Sequence, residues 1–137
     1  MSSMKSLAFT LAVMGVAWSP ALACAQKPAH KPAPFFVVDS LAKAGETVWS
    51  AKGCLSCHTI GTPSVIAPDL ADVFERRTVA WVRTFVLNPD SLLERDDTAK
   101  ALLARYNFLR MPKLNLSEAE VDAVLHYIAA QSKPKKK

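Results

Sequence analysis

The segment that most constrains this chain is GCLSCHTIG, residues 53–61, in which Cys54, Cys57 and His58 fall within five positions. Two cysteines separated by two residues and followed at once by a histidine are compatible with four kinds of site. These are a redox-active cysteine pair, a zinc site, a structural disulfide and an attachment point for a haem. Each kind needs a different surrounding fold, so the rest of the sequence has to decide among them.

The surrounding sequence argues against the first three kinds of site. A thioredoxin-like redox pair belongs to a βαβ unit, and the sequence contains no such pattern. Structural zinc takes about four ligands, whereas His30 lies in a proline-rich segment and His126 stands alone. A structural disulfide suits an oxidising compartment but gives His58 no role.

Covalent attachment of haem c accounts for all three residues of the motif. Each haem vinyl group accepts one thiol, and two intervening residues let both sulfurs reach adjacent pyrrole rings. The histidine that follows Cys57 then lies under the iron and supplies an imidazole nitrogen. The sequence therefore predicts one covalently bound haem c held by Cys54 and Cys57, with His58 as an iron ligand.

Residues 1–25 have the pattern of a signal peptide, with one charged residue, an apolar run and small residues at the end. Cleavage after Ala23 or after Ala25 fits this pattern, and the run is too short for a permanent membrane span. A buried apolar helix and a lipoprotein acylated at Cys24 are the weaker alternatives. Export to the periplasm follows, where bacterial c-type haem is attached.

The chain divides into four predicted parts: the signal peptide 1–25, a Pro/Lys-rich linker 26–38, a domain 39–132 and a basic tail 133–137. The positive charge lies mainly outside the domain, because the sequence from Phe35 to Ser132 contains ten Lys and Arg but twelve Asp and Glu. Nucleic-acid binding would need basic and aromatic residues interleaved on one folded face, so we predict no nucleic-acid partner. The lysine tail is typical of a solvated segment, and weak contact with a membrane surface is its functional alternative.

The domain has the pattern of an all-α fold, because no sustained alternation of apolar and polar residues is present beyond the short run 35–38. Capping residues and apolar spacing predict helices with these limits: Asp39 or Ser40 to about Lys52, 79–87 after a Thr78 cap, a Thr98 cap to about Tyr106, and a last helix after the Ser117–Glu120 capping box. A short turn is expected at 89–94. The regions 53–72 and 107–116 are predicted to be irregular and to pack on a large apolar cofactor.

Over most of residues 40–131 the sequence resembles class I cytochrome c. The resemblance rests on Gly45 and Trp49 leading into the Cys-x-x-Cys-His motif, on APDL at 67–70, and on a terminal helix containing Tyr127 and Ile128. It implies a class I cytochrome c-like helical fold wrapped around one covalently attached haem. It also implies that the Pro68 carbonyl accepts the His58 Nδ1–H and fixes the tautomer of the ring.

Met111 is the predicted sixth ligand of the iron. It is the only methionine left after cleavage, it precedes the last helix in an irregular segment, and Pro112 follows it, as in the loop of the family's distal methionine. His/Met ligation suits an electron-transfer haem. His126 is the rival ligand and is expected to be exposed, opposite the apolar face of its helix. Lys113 is expected to replace Met111 at high pH.

Three residues are candidates to bind a haem propionate: Arg76, Arg77 and Trp81. A buried carboxylate needs hydrogen-bond donors or a cation, although a solvated helix start and a core tryptophan would explain the same residues.

The sequence therefore predicts a periplasmic carrier of single electrons rather than an enzyme, monomeric and working with a respiratory donor and acceptor protein. A haem-bearing subunit docked on a dehydrogenase or oxidase is one alternative. A haem peroxidase or gas sensor is the other, if Met111 is not on the iron.

Overall fold

The computed structural model describes residues 33–132, so the predicted signal peptide, most of the linker and the basic tail lie outside the described residues. Six α-helices and one 3₁₀ turn are present in this range: α1 Asp39–Ala51, the 3₁₀ turn Cys54–Ser56, α2 Val73–Arg76, α3 Val79–Leu87, α4 Pro89–Arg95, α5 Asp97–Arg105 and α6 Glu118–Gln131. Residues 33–132 contain no strand, which agrees with the predicted all-α class. Within the same residues, every helix is too short or too polar to cross a membrane.

The core is built on the packing of the first helix against the last. α6 buries Val121, Leu125 and Ile128 almost completely, with exposed fractions of 0–2%. α1 meets this face at Gly45, where a Cβ atom would lie 2.5 Å from the carbonyl carbon of Ala123. Such a distance is far inside van der Waals contact, so the two backbones can approach only because position 45 has no side chain.

One turn further along α1, the aromatic contact predicted from the resemblance is present. Trp49 is 4% exposed, and its ring centroid lies 5.6 Å from that of Tyr127 in a tilted arrangement. Tilted aromatic pairs at this distance are favourable beyond their buried area. The pair continues the close crossing toward the C-terminal end of α1, where the cysteine motif begins.

Two helices start as their capping residues predicted. The Thr78 side chain accepts from the Trp81 N–H at the start of α3. At the start of α6, Ser117 and Glu120 satisfy each other's backbone N–H groups in a capping box. At these two starts the local signal was sufficient to place the helix.

Three details of the predicted helices were wrong. The α5 cap is Asp96, whose carboxylate accepts from Ala99 N at 2.8 Å, and Thr98 lies inside the helix. The segment predicted as a turn forms α4, since Pro89 fits the first helical position, where its missing N–H costs nothing. The short α2 was not predicted.

The start of α1 also differs from the prediction. Neither Asp39 nor Ser40 caps the helix, because Val38 occupies the cap position. The Val38 N–H donates instead to His126 Nδ1 of α6, at 3.1 Å. A tertiary contact has taken the place of a local cap, which no pattern within residues 38–42 could indicate.

His126 is consequently half-buried and not exposed as expected. Its ring lies 4.8 Å from that of Phe35, which in turn stacks on Phe74 at 4.5 Å. The helical wheel of α6 correctly puts His126 away from the Val124–Ile128 face, but the extended segment 33–38 covers that second side.

Replacement of Gly45 by alanine is expected to destabilise the fold by about 3 kcal/mol, because backbone atoms of α6 would have to move apart to admit the methyl group. Guanidinium unfolding of the haem-loaded protein measures the loss. Ala44→Gly, at the exposed neighbouring position, is the control and should cost about 1 kcal/mol through helix propensity alone. A Gly45→Ala variant as stable as the wild type would contradict the close crossing.

Candidate functional site

The cysteine pair lies in the 3₁₀ turn that directly follows α1. Gly53, at φ +70°, turns the chain out of the helix, and Cys54–Ser56 then form the turn. Because a 3₁₀ helix has three residues per turn, side chains three positions apart lie on the same side. Cys54 and Cys57 are both half-buried free thiols. Burial raises the pKa of Cys54 above its ordinary value; a backbone hydrogen bond opposes this rise in part, and the neighbouring Cys57 adds to it.

His58 is held by a hydrogen bond to the loop that follows the motif. Its Nδ1–H donates to the Pro68 carbonyl at 2.9 Å, the bond that the resemblance implied. Burial lowers the pKa of His58 more than the Pro68 carbonyl raises it, which favours the neutral ring. With the proton on Nδ1, the lone pair of Nε2 is free to bind a metal.

Asp69 closes the loop that carries the Pro68 carbonyl. Four donors converge on its carboxylate: Thr59 Oγ1 at 2.7 Å, Gly61 N at 2.9 Å, Thr62 N at 3.0 Å and Ala71 N at 3.0 Å. Burial alone would raise the pKa of Asp69, but the hydrogen bonds from Thr59 and the three backbone N–H groups together hold it below its ordinary value. Sequence reasoning missed this residue, and the Thr and Gly residues at 59–62 were the available signal.

The motif, the Pro68 loop and the helices α3 and α5 surround a cavity of about 350 Å³, lined mainly by apolar side chains. All the residues predicted for the site line it: Cys54, Cys57, His58, Pro68, Arg76, Arg77, Trp81 and Met111. His126, the rival ligand, is bound to Val38 N outside this lining. The size and apolar character suit an organic cofactor better than a bare ion.

Met111 reaches the cavity from the irregular segment between α5 and α6 and is itself half-buried. This segment turns sharply at its start, where Asn107 and Phe108 have φ of +54° and +59°. Left-handed backbone is unusual for a bulky residue such as phenylalanine. Two positions further on, Arg110 Nη1 contacts Asp90 Oδ1 of α4 at 2.6 Å. The turn and the ion pair together direct the chain at Met111 toward the cavity.

The two candidate arginines differ in how their side chains are used. Arg76 donates to two loop carbonyls, Ala71 O at 2.6 Å and Asp69 O at 3.1 Å. The Arg77 guanidinium lies 5.6 Å from the Trp81 ring and donates through Nη1 to the Arg76 carbonyl at 2.6 Å. Its buried Nε has no hydrogen-bond partner among residues 33–132. A buried donor without an acceptor is costly, and here it belongs to a residue that lines the cavity.

These residues fit a haem. Two thiols on one side of a turn, a neutral imidazole with a free Nε2, a thioether and a buried cationic donor all line one apolar cavity. Thiols can form thioethers with vinyl groups, imidazole and thioether both bind haem iron, and the guanidinium suits a carboxylate.

Comparison with known proteins agrees with this fit. The family model described as cytochrome c matches residues 42–132. A solved cytochrome c from Rhodothermus marinus has 26% sequence identity and a TM-score of 0.66, covering 78% of this chain and 90% of its own. The cytochrome c domain of the pp3183 protein from Pseudomonas putida has 36% identity and a TM-score of 0.54, covering 61% of this chain and 83% of its own. No curated protein sequence matches significantly.

Asp69→Asn is expected to lower stability at neutral pH by about 1–2 kcal/mol, because an amide can no longer accept from all the loop donors. Since the pKa of Asp69 is lowered on folding, the stabilisation is present above its unfolded value of 3.8 and is lost as pH falls through the folded value. Guanidinium unfolding between acid and neutral pH should therefore show wild type and variant converging in acid.

Asp72→Asn, at an exposed position with φ +52°, is the matched control and should change stability by less than about 0.5 kcal/mol. A gap between wild type and Asp69→Asn that stays constant at every pH would show that the carboxylate is not responsible.

Proposed function

Because the chain belongs to the cytochrome c family and so carries covalently attached haem c, we propose that it is a periplasmic carrier of single electrons. Cys54 and Cys57 would form the thioether bonds to the haem, and His58 and Met111 would bind its iron. The observation that carries this proposal is that all four side chains line one apolar cavity.

When bound, haem c supplies an iron that changes oxidation state by one electron with little change in geometry. The chain contributes His58, whose Nδ1–H donates to the Pro68 carbonyl. Its Nε2 therefore carries no proton and has a lone pair available for the iron. Met111 adds an uncharged ligand from the opposite loop segment, and a Met ligand raises the reduction potential. With His58 and Met111 both bound, the iron would have no site left for oxygen or peroxide, which favours a carrier over a peroxidase or gas sensor.

We further propose that Arg77 and Trp81, rather than Arg76, hold a haem propionate. The Arg76 guanidinium is already engaged by two loop carbonyls, whereas the buried Arg77 Nε has a free N–H. Placing a carboxylate next to Arg77 would satisfy this donor and neutralise its charge in an apolar surrounding.

The cavity mouth is the expected site of electron transfer with donor and acceptor proteins. Ile66 and Leu109 line the cavity and are also 45% and 56% exposed, and the adjacent Val65 and Phe108 are 87% and 72% exposed. An apolar rim allows short-lived contact with partners of different charge. It also favours the alternative of a subunit docked permanently on a dehydrogenase or oxidase, because large exposed apolar patches commonly mark interfaces.

Size-exclusion chromatography of the native extract separates these two assignments. A free carrier should elute as a small monomer, and a permanently docked subunit should elute with its larger partner.

Met111→Ala should abolish the ferric iron–sulfur absorption band and lower the reduction potential, because a His/Met-ligated haem has the higher potential. The pyridine haemochrome spectrum should stay that of a haem with both vinyl groups converted, since the thioether bonds do not involve Met111. Lys113→Gln is the control and should keep the band at neutral pH. Persistence of the band in Met111→Ala would reject Met111 as ligand.

Arg77→Gln should move the pH dependence of the reduction potential to higher pH, because a propionate that loses its cation has a raised pKa. The expected displacement is about one pH unit, the effect of one nearby opposite charge. Redox titration over a pH series measures it. The same titration of Arg76→Gln should match the wild type, so a larger effect from Arg76 than from Arg77 would reverse the assignment.

A further inference from the structure

The extended segment 33–38, which we call the strap, is attached to the rest of the domain by a small number of contacts. Phe35 and Val37 are half-buried and pack on the core. The Phe35 ring stacks on Phe74 of α2, with centroids 4.5 Å apart and ring planes 11° apart. At the end of the strap, the Val38 N–H donates to His126 Nδ1 of α6 at 3.1 Å. One polar contact therefore supports two apolar ones.

His126 is a titratable group that the candidate site does not use. Its Nδ1 can accept the Val38 N–H only while this nitrogen carries no proton. Once protonated, Nδ1 is itself a donor, and two N–H groups would then face each other. A histidine with an ordinary pKa changes charge between about pH 5 and pH 8. The polar contact of the strap therefore exists only while His126 is neutral.

The docked strap also makes an imidazolium at position 126 unfavourable. The Phe35 ring covers the imidazole at 4.8 Å, and Val38 is the cap residue of α1, whose N-terminal end carries partial positive charge. Burial lowers the pKa of His126 below its ordinary value of 6.5. Docking is consequently favoured in full above that value and is lost as pH falls through the lowered value.

The charged groups around the strap do not offset this burial. The strap has no ionisable side chain of its own. On the helices around it, the ionisable side chains are Asp39, Lys43 and Glu46 of α1, Glu75 and Arg76 of α2, and Asp122 and Tyr127 of α6. Asp39 borders Val38, and Asp122, one turn before His126, is bound to Arg83. Burial and no nearby carboxylate determines the direction in which the pKa of His126 moves.

We propose that the strap is a pH-sensitive cover, which detaches from α6 and α2 when His126 Nδ1 gains a proton and the bond to Val38 is lost. Ordering the six residues of the strap costs conformational entropy, and two half-buried side chains and one hydrogen bond compensate for it. Because these contacts are so few, the loss of one shifts the population toward the detached state.

Detachment would change the surroundings of the cavity from the outside. Phe74 is 8% exposed while Phe35 covers it, so it would meet water once the strap leaves. Its neighbours in and after α2, Val73, Arg76 and Arg77, line the cavity. The inference goes beyond electron transfer, and it does not depend on how the iron is ligated.

Hydrogen exchange of the Val38 amide, followed by NMR in the reduced, haem-loaded protein, tests the proposal. After correction for the intrinsic exchange rate, the protection factor of this amide should be about tenfold lower at about pH 5 than at about pH 7.5, the effect of one lost hydrogen bond. The NOE cross-peak between the Phe35 and Phe74 rings should weaken over the same pH range.

Three variants separate His126 from other causes of a pH response. In His126→Gln the amide oxygen accepts the Val38 N–H but does not titrate, so protection should differ by less than about twofold between the two pH values. His126→Phe has no acceptor and should give low protection at both. His30→Gln, the matched control, replaces a histidine outside the candidate site and should keep the wild-type response. Unchanged haem and circular-dichroism spectra establish that each variant is folded.

Any of three results would overturn the proposal. Val38 protection that is unchanged at about pH 5 would show that the strap stays docked in acid, with the imidazole accommodated under Phe35. An equal pH response in His126→Gln would assign the response to another group. Lost Val38 protection with a Phe35–Phe74 cross-peak of full intensity would show that the hydrogen bond responds but the strap does not.

Discussion

The direct contact of the α1 and α6 backbones at Gly45 is the constraint on which the rest of the molecule depends. Because no Cβ atom separates the two helices there, Trp49 can reach Tyr127 and the end of α1 is held rigidly against the core. The cysteine motif starts three residues after this helix. The thiols therefore take their positions from packing among aliphatic and aromatic side chains, while the imidazole is oriented by its hydrogen bond to the Pro68 carbonyl.

The two sides of the cavity are held by different polar contacts. On the imidazole side, the Asp69 carboxylate gathers the loop that presents the Pro68 carbonyl. On the Met111 side, the ion pair of Arg110 with Asp90 ties the segment before Met111 to α4. These contacts order two long irregular segments around a cavity whose lining is mainly apolar.

Features that depend on neighbouring residues could be predicted from the sequence. They include the starts of α3 and α6 at Thr78 and Ser117 and the spacing of the cysteine motif. Met111 was predicted as an iron ligand because residues 26–137 contain no other methionine. Tertiary contacts decided the rest. His126 is covered by a segment distant in sequence, and the different hydrogen bonding of Arg76 and Arg77 depends on which carbonyls lie near them. The four donors that Asp69 gathers likewise become visible only in the folded loop.

The Gly45–Ala123 crossing joins positions 78 apart in the chain, and that separation sets an order of events. Closing so long a loop is entropically costly, and contacts of this range form slowly. In a chain that emerges from its N-terminus, His58 is complete about 60 residues before α6 begins, so α1 has no partner during that interval. The thiols of Cys54 and Cys57 therefore stay accessible to chemical modification until α6 packs on α1 and closes the cavity around the attached group.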